Sequence, residues 1–127
     1  MADTTDQIRA IQTRAKALLQ TAKMWQRRLD AIEREITALE QQGTTDGRPY
    51  WRTRGKRRYL ELIHPQRDGK RPRDTYVGID PAKIAEALAQ VKRAEKVQAL
   101  RHERAAWARH IDEVFHAVNT LTFTARW

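Results

Sequence analysis

Residues 4–42 read TTDQIRAIQTRAKALLQTAKMWQRRLDAIEREITALEQQ, and the spacing of their apolar side chains decides the fold. Ile8, Ile11, Ala15, Leu18, Ala22, Trp25, Leu29, Ile32, Ile36 and Leu39 follow one another in alternating steps of 3 and 4 without a break. A mean step of about 3.5 residues is the signature of a coiled-coil seam, because it keeps one narrow apolar stripe turned towards a partner helix. No proline or glycine interrupts the run, Thr4 with Gln7 suits a capping box, and Gly43 suits a stop. At 1.5 Å per residue the helix is expected to be about 55–60 Å long.

The partner helix lies at the other end of the chain. Asp80-Pro81 offers an N-cap followed by the favoured first-turn proline. Ile84, Leu88, Val91, Ala94, Val97, Leu100, Trp107, Ile111, Val114, Val118 and Leu121 then form a second seam. The steps of three between Val91 and Leu100 shift its phase as a stammer does, which predicts less regular packing there. Asn119-Thr120 suits a helix end, and the alternation in Leu121-Thr122-Phe123-Thr124-Ala125-Arg126-Trp127 predicts an extended tail. Two helices of similar length on either side of one insert pack most simply as an antiparallel hairpin. Setting Leu39 level with Ile84 brings Trp107 to Ala15 and Trp25 to Val97, large against small as close packing prefers.

Between the helices the period changes from seven to two. Tyr50-Trp51-Arg52-Thr53 and Arg57-Arg58-Tyr59-Leu60-Glu61-Leu62-Ile63 read as strands around a turn at Arg54-Gly55-Lys56. Asp74-Thr75-Tyr76-Val77-Gly78-Ile79 reads as a third strand, reached through a loop with turn chemistry at Asp68-Gly69. One face buries either Trp51, Leu60, Leu62 and Tyr76, or the set with Tyr59, Ile63, Val77 and Ile79; periodicity leaves both open. The expected fold is one mainly α domain over 1–127: an antiparallel two-helix coiled-coil hairpin (4–42 and 81–120), a three-stranded antiparallel sheet at 48–79 inserted at its tip, and an extended tail at 121–127.

Charge is the strongest functional signal. Of a formal net charge of +9, residues 48–73 carry nearly all: ten basic residues against Glu61 and Asp68. The segments on either side are nearly neutral. A local excess of this kind points to a surface built for an anionic partner. Arginines on a β-hairpin neutralise phosphates, and a two-stranded ribbon fits the DNA major groove. The expected nucleic-acid-binding residues are Arg48, Tyr50, Trp51, Arg52, Arg54, Lys56, Arg57, Arg58, Arg67, Lys70, Arg71 and Arg73, with the aromatic rings able to stack on unpaired bases. DNA is favoured over RNA. The competing reading makes the rings the core of the sheet and the cations its rim, or docks the tip on an acidic protein surface, as in a phage-type inhibitor or assembly adaptor. Glu61, the lone acid on these strands, is expected to pair with a neighbouring arginine.

Other classes find little support. With no cysteine there is neither a disulfide nor a thiolate metal site. Glu113 and His116, with His110 nearby, supply too few ligands for a metal, so no metal or cofactor is expected. No phosphate-cradling glycine loop or nucleophile elbow is present, so neither catalysis nor a small-molecule substrate is expected. No run of 18 apolar residues could span a bilayer and the N-terminal segment lacks a signal-like apolar core, so a cytoplasmic location without membrane association is expected. A lone two-helix hairpin leaves Leu19, Trp25 and Phe115 half wet, which predicts a homodimer through the helical seam.

Tyr50-Trp51-Arg52 with Gly55-Lys56, then Arg58-Tyr59-Leu60 and Tyr76-Val77-Gly78, resembles the three-stranded β-sheet arms of tyrosine recombinases. It is similar, too, to small phage and plasmid proteins in which an aromatic-basic hairpin precedes a helix. The resemblance covers about thirty residues and none of the recombinase catalytic domain. It implies a sheet laid in the DNA major groove, contacts from Arg52, Arg54, Lys56 and Arg58, and an accessory or regulatory role in a mobile element.

Overall fold

The computed structural model describes residues 3–125. Two long helices, α1 (Thr4–Gln42) and α2 (Pro81–Thr124), flank three strands, β1 (Arg48–Arg54), β2 (Arg57–Ile63) and β3 (Thr75–Gly78), giving a helical hairpin with an inserted sheet. Asp3, one residue before the expected cap, starts α1: its carboxylate accepts from the Asp6 amide at 2.8 Å. The Gly43 amide closes the helix on the Glu40 carbonyl. Asp80 caps α2, accepting from the Ala82 amide at 3.0 Å ahead of Pro81. No helix among the described residues is long and apolar enough to cross a membrane.

Contacts divide the chain into two compact units, 1–34 with 104–127, and 35–103. In the second unit the sheet is an antiparallel meander ordered β1-β2-β3, with Trp51 opposite Leu60 and Arg54 opposite Arg57. Gly55 takes a φ of 61°, the positive angle required of the first central residue in a tight hairpin turn that follows the strand twist. Between β2 and β3, Asp68 and Gly69 both have positive φ, and Arg67 and Lys70 exchange two backbone hydrogen bonds around them, a second miniature hairpin. Pro49 sits on the edge strand β1, where a missing donor costs the ladder least.

Leu60 and Leu62 point from the sheet onto the first turns of α2, where Ala87 is buried with them and Val77, Ile84, Leu88 and Val91 close the cluster. Neither of the two expected faces forms intact. The pairing of β2 with β3 slips between Leu60 and Glu61, so that Gly78 faces Leu60 and Tyr76 faces Glu61. Val77 is the extra residue of this bulge and enters the core, while Tyr76 turns to the other side.

That use of Ile84 also overturns the expected helix register. Arg93, not Ile84, meets the end of α1: its guanidinium donates to the carbonyls of Gly43 at 2.6 Å and Gln42 at 3.3 Å. Lys96 pairs with Glu35 at 2.9 Å and Arg101 with Glu40 at 2.7 Å. In the first unit Arg104 pairs with Glu33, and Trp25 packs edge-on against His110 at 5.5 Å rather than meeting Val97. The helices are therefore offset by about two heptads from the expected pairing, since the opening turns of α2 are occupied by the sheet. Within the stretch of three-residue steps, Val97 and Leu100 are buried. Nor does α2 stop at Thr120. It runs through Leu121, Thr122 and Phe123 to Thr124, with the Thr122 and Thr124 hydroxyls bonded back to carbonyls of the preceding turn, so residues 121–124 are helix rather than extended tail. Arg126 and Trp127 lie outside the described residues.

Candidate nucleic-acid interface

Alternation along the strands sorts the basic segment into two faces. Arg48, Tyr50, Arg52 and Arg54 on β1 stand beside Ile63, Glu61, Tyr59 and Arg57 on β2, position against position. Tyr76 of β3 joins them, its ring 5.5 Å from that of Tyr59. This face is opposite Leu60 and Leu62, and among the described residues no helix covers it. Four arginines, three tyrosines and one glutamate occupy it. Tyr50 and Tyr76 are 46% and 67% exposed, which decides against a core role for either ring.

Charges on this face fall into two kinds. Arg52 donates to Glu61 at 2.6 Å and lies over the Tyr50 ring at 4.9 Å, and the Glu61 carboxylate raises the guanidinium's affinity for its proton. Glu61 thus pairs with an arginine as expected. Arg48, Arg54 and Arg57 have no carboxylate partner among the described residues, and Lys56 in the turn has none either. Arg54 and Arg57 face each other directly at the end of the ladder, a like-charge cross-strand pair that costs stability. With Tyr59, Glu61, Tyr76 and Ile79 they line a shallow depression of about 400 Å³.

Two of the expected residues point the other way. Trp51 and Arg58 share the face of Leu60, and the Arg58 guanidinium stacks over the Trp51 indole at 5.2 Å. Arg58, although next to Arg57 in sequence, therefore lies on the other face in a cation–π contact and does not join Arg54 and Arg57. The remaining expected residues belong to the β2–β3 loop. Arg67 is 2.7 Å from Asp46, Arg71 is 3.8 Å from Asp74, and Lys70 and Arg73 have no carboxylate partner among the described residues.

A hydrogen-bonded brace fixes that loop to the sheet. His64 Nδ1 lies 2.7 Å from Asp46 Oδ1, and Nε2 lies 2.6 Å from the Thr75 hydroxyl. Since an ionised carboxylate can only accept, Nδ1 carries the proton on that side. The His64 hydrogen bond is the main cause holding the Asp46 carboxyl below its usual range, with Arg67 and the charge of His64 adding to it. The pairing of β1 with β2 brings Asp46 to one nitrogen of His64, and the pairing of β2 with β3 brings Thr75 to the other.

Tyr59 and Tyr76, outside the expected contact set, lie on the arginine face as well: alternation with Arg57 is the signal for Tyr59, and pairing with Glu61 brings Tyr76 there. Of the histidines on α2, His110 lies edge-on to Trp25 and, at 6.3 Å, to Trp107, while His102 meets Gln98 and His116 meets Asp112 on the exposed surface. No cluster of three metal-binding side chains occurs among the described residues. No known family model, curated protein or solved structure matches this chain.

Proposed function

We propose that this protein binds nucleic acid through the uncovered face of its inserted sheet, as a binding protein and not an enzyme. One observation carries the reading: Arg54 faces Arg57, with Arg48 along the same face, and none of them is neutralised by a carboxylate. Internal packing gives no reason for such an array, whereas a phosphate backbone offsets its repulsion. DNA is the favoured partner, and the resemblance to recombinase arms suggests an accessory or regulatory role in a mobile element. The test is an anisotropy titration of labelled duplex DNA, with unlabelled duplex and poly-L-glutamate as competitors. Displacement by DNA and not by polyglutamate at equal charge supports the reading. Equal displacement by both replaces it with docking on an acidic protein surface.

The protein also acts as a homodimer in this reading, for a reason found in the first unit. Leu18, Ala22, Trp25 and Leu29 with Ile111, Val114, Phe115 and Val118 line an apolar groove. Ile8, Ile11, Leu18, Leu19, Phe115 and Leu121 remain 37–66% exposed. Six such side chains, two of them in the groove, offer on the order of 600 Å² of apolar surface, against about 800 Å² that each partner contributes to a standard interface. A second copy presents the same 3-and-4 seam, so a four-helix bundle buries both. Light scattering at micromolar concentration should give twice 14.9 kDa; a mass of one chain removes the dimer.

A further inference from the structure

We infer that the uncovered sheet face takes single-stranded nucleic acid, with an unpaired base stacked on Tyr76 beside Tyr59 and its phosphates held by Arg54 and Arg57. This rests on the nucleic-acid reading and specifies its substrate class. Cations alone do not separate single strands from duplexes, because both present phosphates. The aromatic rings do. Each strand places one tyrosine on this face: Tyr50 on β1, Tyr59 on β2 and Tyr76 on β3. Tyr59 and Tyr76 meet at 5.5 Å with their planes tilted by 48°, so the pair presents ring surface outward instead of closing into a parallel stack.

The register of β3 makes this placement specific: Thr75 stands opposite Leu62 and Tyr76 opposite Glu61, so alternation carries Tyr76 to the arginine face and Val77 to the core, and the bulge falls beyond them, bringing Gly78 opposite Leu60. The chain thus places its apolar β-branched residue in the core and leaves the largest side chain of β3 two-thirds exposed. Stacked base pairs in a duplex offer no free ring faces to such a platform, whereas splayed bases of a single strand do. The depression between the tyrosines and the Arg54–Arg57 pair, about 400 Å³, is roomy enough for a nucleobase at its mouth. Ile79 adds an apolar side chain to its lining, and the partly buried Glu61, one oxygen of which accepts from Arg52, adds a carboxylate able to accept from a base amino group.

The full chain should be titrated at one salt concentration against labelled oligothymidylate, oligouridylate, a mixed-sequence single strand, and the matching duplex. Tighter binding of the single strands than of the duplex is expected. Tyr76→Ala should weaken single-strand binding roughly tenfold, the loss typical of one stacked base, while leaving duplex binding within about twofold. Tyr76→Phe, which keeps the ring, should stay within about twofold of the parent on every probe. Because Tyr76 is largely exposed, the alanine variant should keep the helical circular dichroism of the parent. A duplex bound as tightly as the single strand, or Tyr76→Ala indistinguishable from the parent, overturns the inference and leaves nucleic-acid binding standing. No binding to any probe overturns both. The DNA and RNA strands compared with each other tell which sugar the platform accepts.

Discussion

Replacing Arg54 and Arg57 together by alanine isolates the electrostatics of the uncovered face. Four cations without a carboxylate partner stand on this face or in its turn, Arg48, Arg54, Lys56 and Arg57. Each phosphate neutralised contributes about 0.7 to the log–log salt slope on a single strand and about 0.9 on a duplex. Four contacts therefore predict a slope of about −2.8 on single strands, or about −3.6 if the duplex is the substrate. On the first figure affinity should fall roughly 50-fold between about 50 and 200 mM salt. The double variant keeps two of the four, so its slope should be about −1.4 and its loss over that range roughly 7-fold. Anisotropy titrations over a salt series give both slopes. Fold is not at risk, because neither arginine is paired and removing the like-charge contact across the ladder relieves repulsion. Thermal melts should accordingly show the variant at least as stable as the parent. A slope unchanged by the double substitution refutes the assignment of phosphate contacts to this face, as does a parent slope near zero. A comparable change on replacing Arg58, stacked on Trp51 behind the sheet, would refute the division into faces.

Further outcomes follow from single side chains. Glu61→Gln removes the only acid from the face and frees Arg52, so oligonucleotide affinity should rise and the single-strand salt slope should steepen by about 0.7. Leu60, fully buried between sheet and α2, should cost about 2–5 kcal/mol when cut to alanine, read as a lower midpoint in urea denaturation. Asp46 is held below the ordinary carboxyl value of 3.8, so its contribution to stability is complete above that pH and lost as pH falls through its lowered folded value. Urea melts across the acid range should show that loss in the parent and a flatter profile in Asp46→Asn; identical profiles would detach the His64 brace from stability.

The fold was readable where local chemistry and periodicity agreed. The unbroken 3-and-4 spacing from Ile8 to Leu39 leaves little choice but a seam, and Asp80-Pro81, Gly55 and Asp68-Gly69 each fix a cap or turn by backbone constraints that do not depend on distant contacts. The helix register was not readable, because a uniform seam fits its partner equally well at every heptad. What sets it is a long-range fact: the sheet takes the first turns of α2, and Arg93 reaches the carbonyls that α1 leaves open at its end. The helical end of α2 was missed for a related reason. Leu121-Thr122-Phe123-Thr124 has strand-like alternation, yet each threonine hydroxyl bonds back into the helix, an option open in either state that alternation does not weigh.

The candidate site was visible as a composition and hidden as a surface. Ten basic residues in 26 announced an anion-binding segment, but composition treats Arg57 and Arg58 as equivalent neighbours. One step along a strand turns a side chain through the sheet, and those two arginines have opposite surroundings: one faces Arg54 in the open, the other lies on an indole at the edge of the core. For β1 and β2 the strand parity was in hand, and only the buried face was lacking. For β3 what was lacking was the register: Tyr76 reaches the arginine face because it pairs with Glu61, and alternation along β3 does not tell which residue of β2 each side chain meets. The contact of Tyr76 with Tyr59 supports the sheet, and the two-thirds of the residue left exposed is what a stacked base would cover.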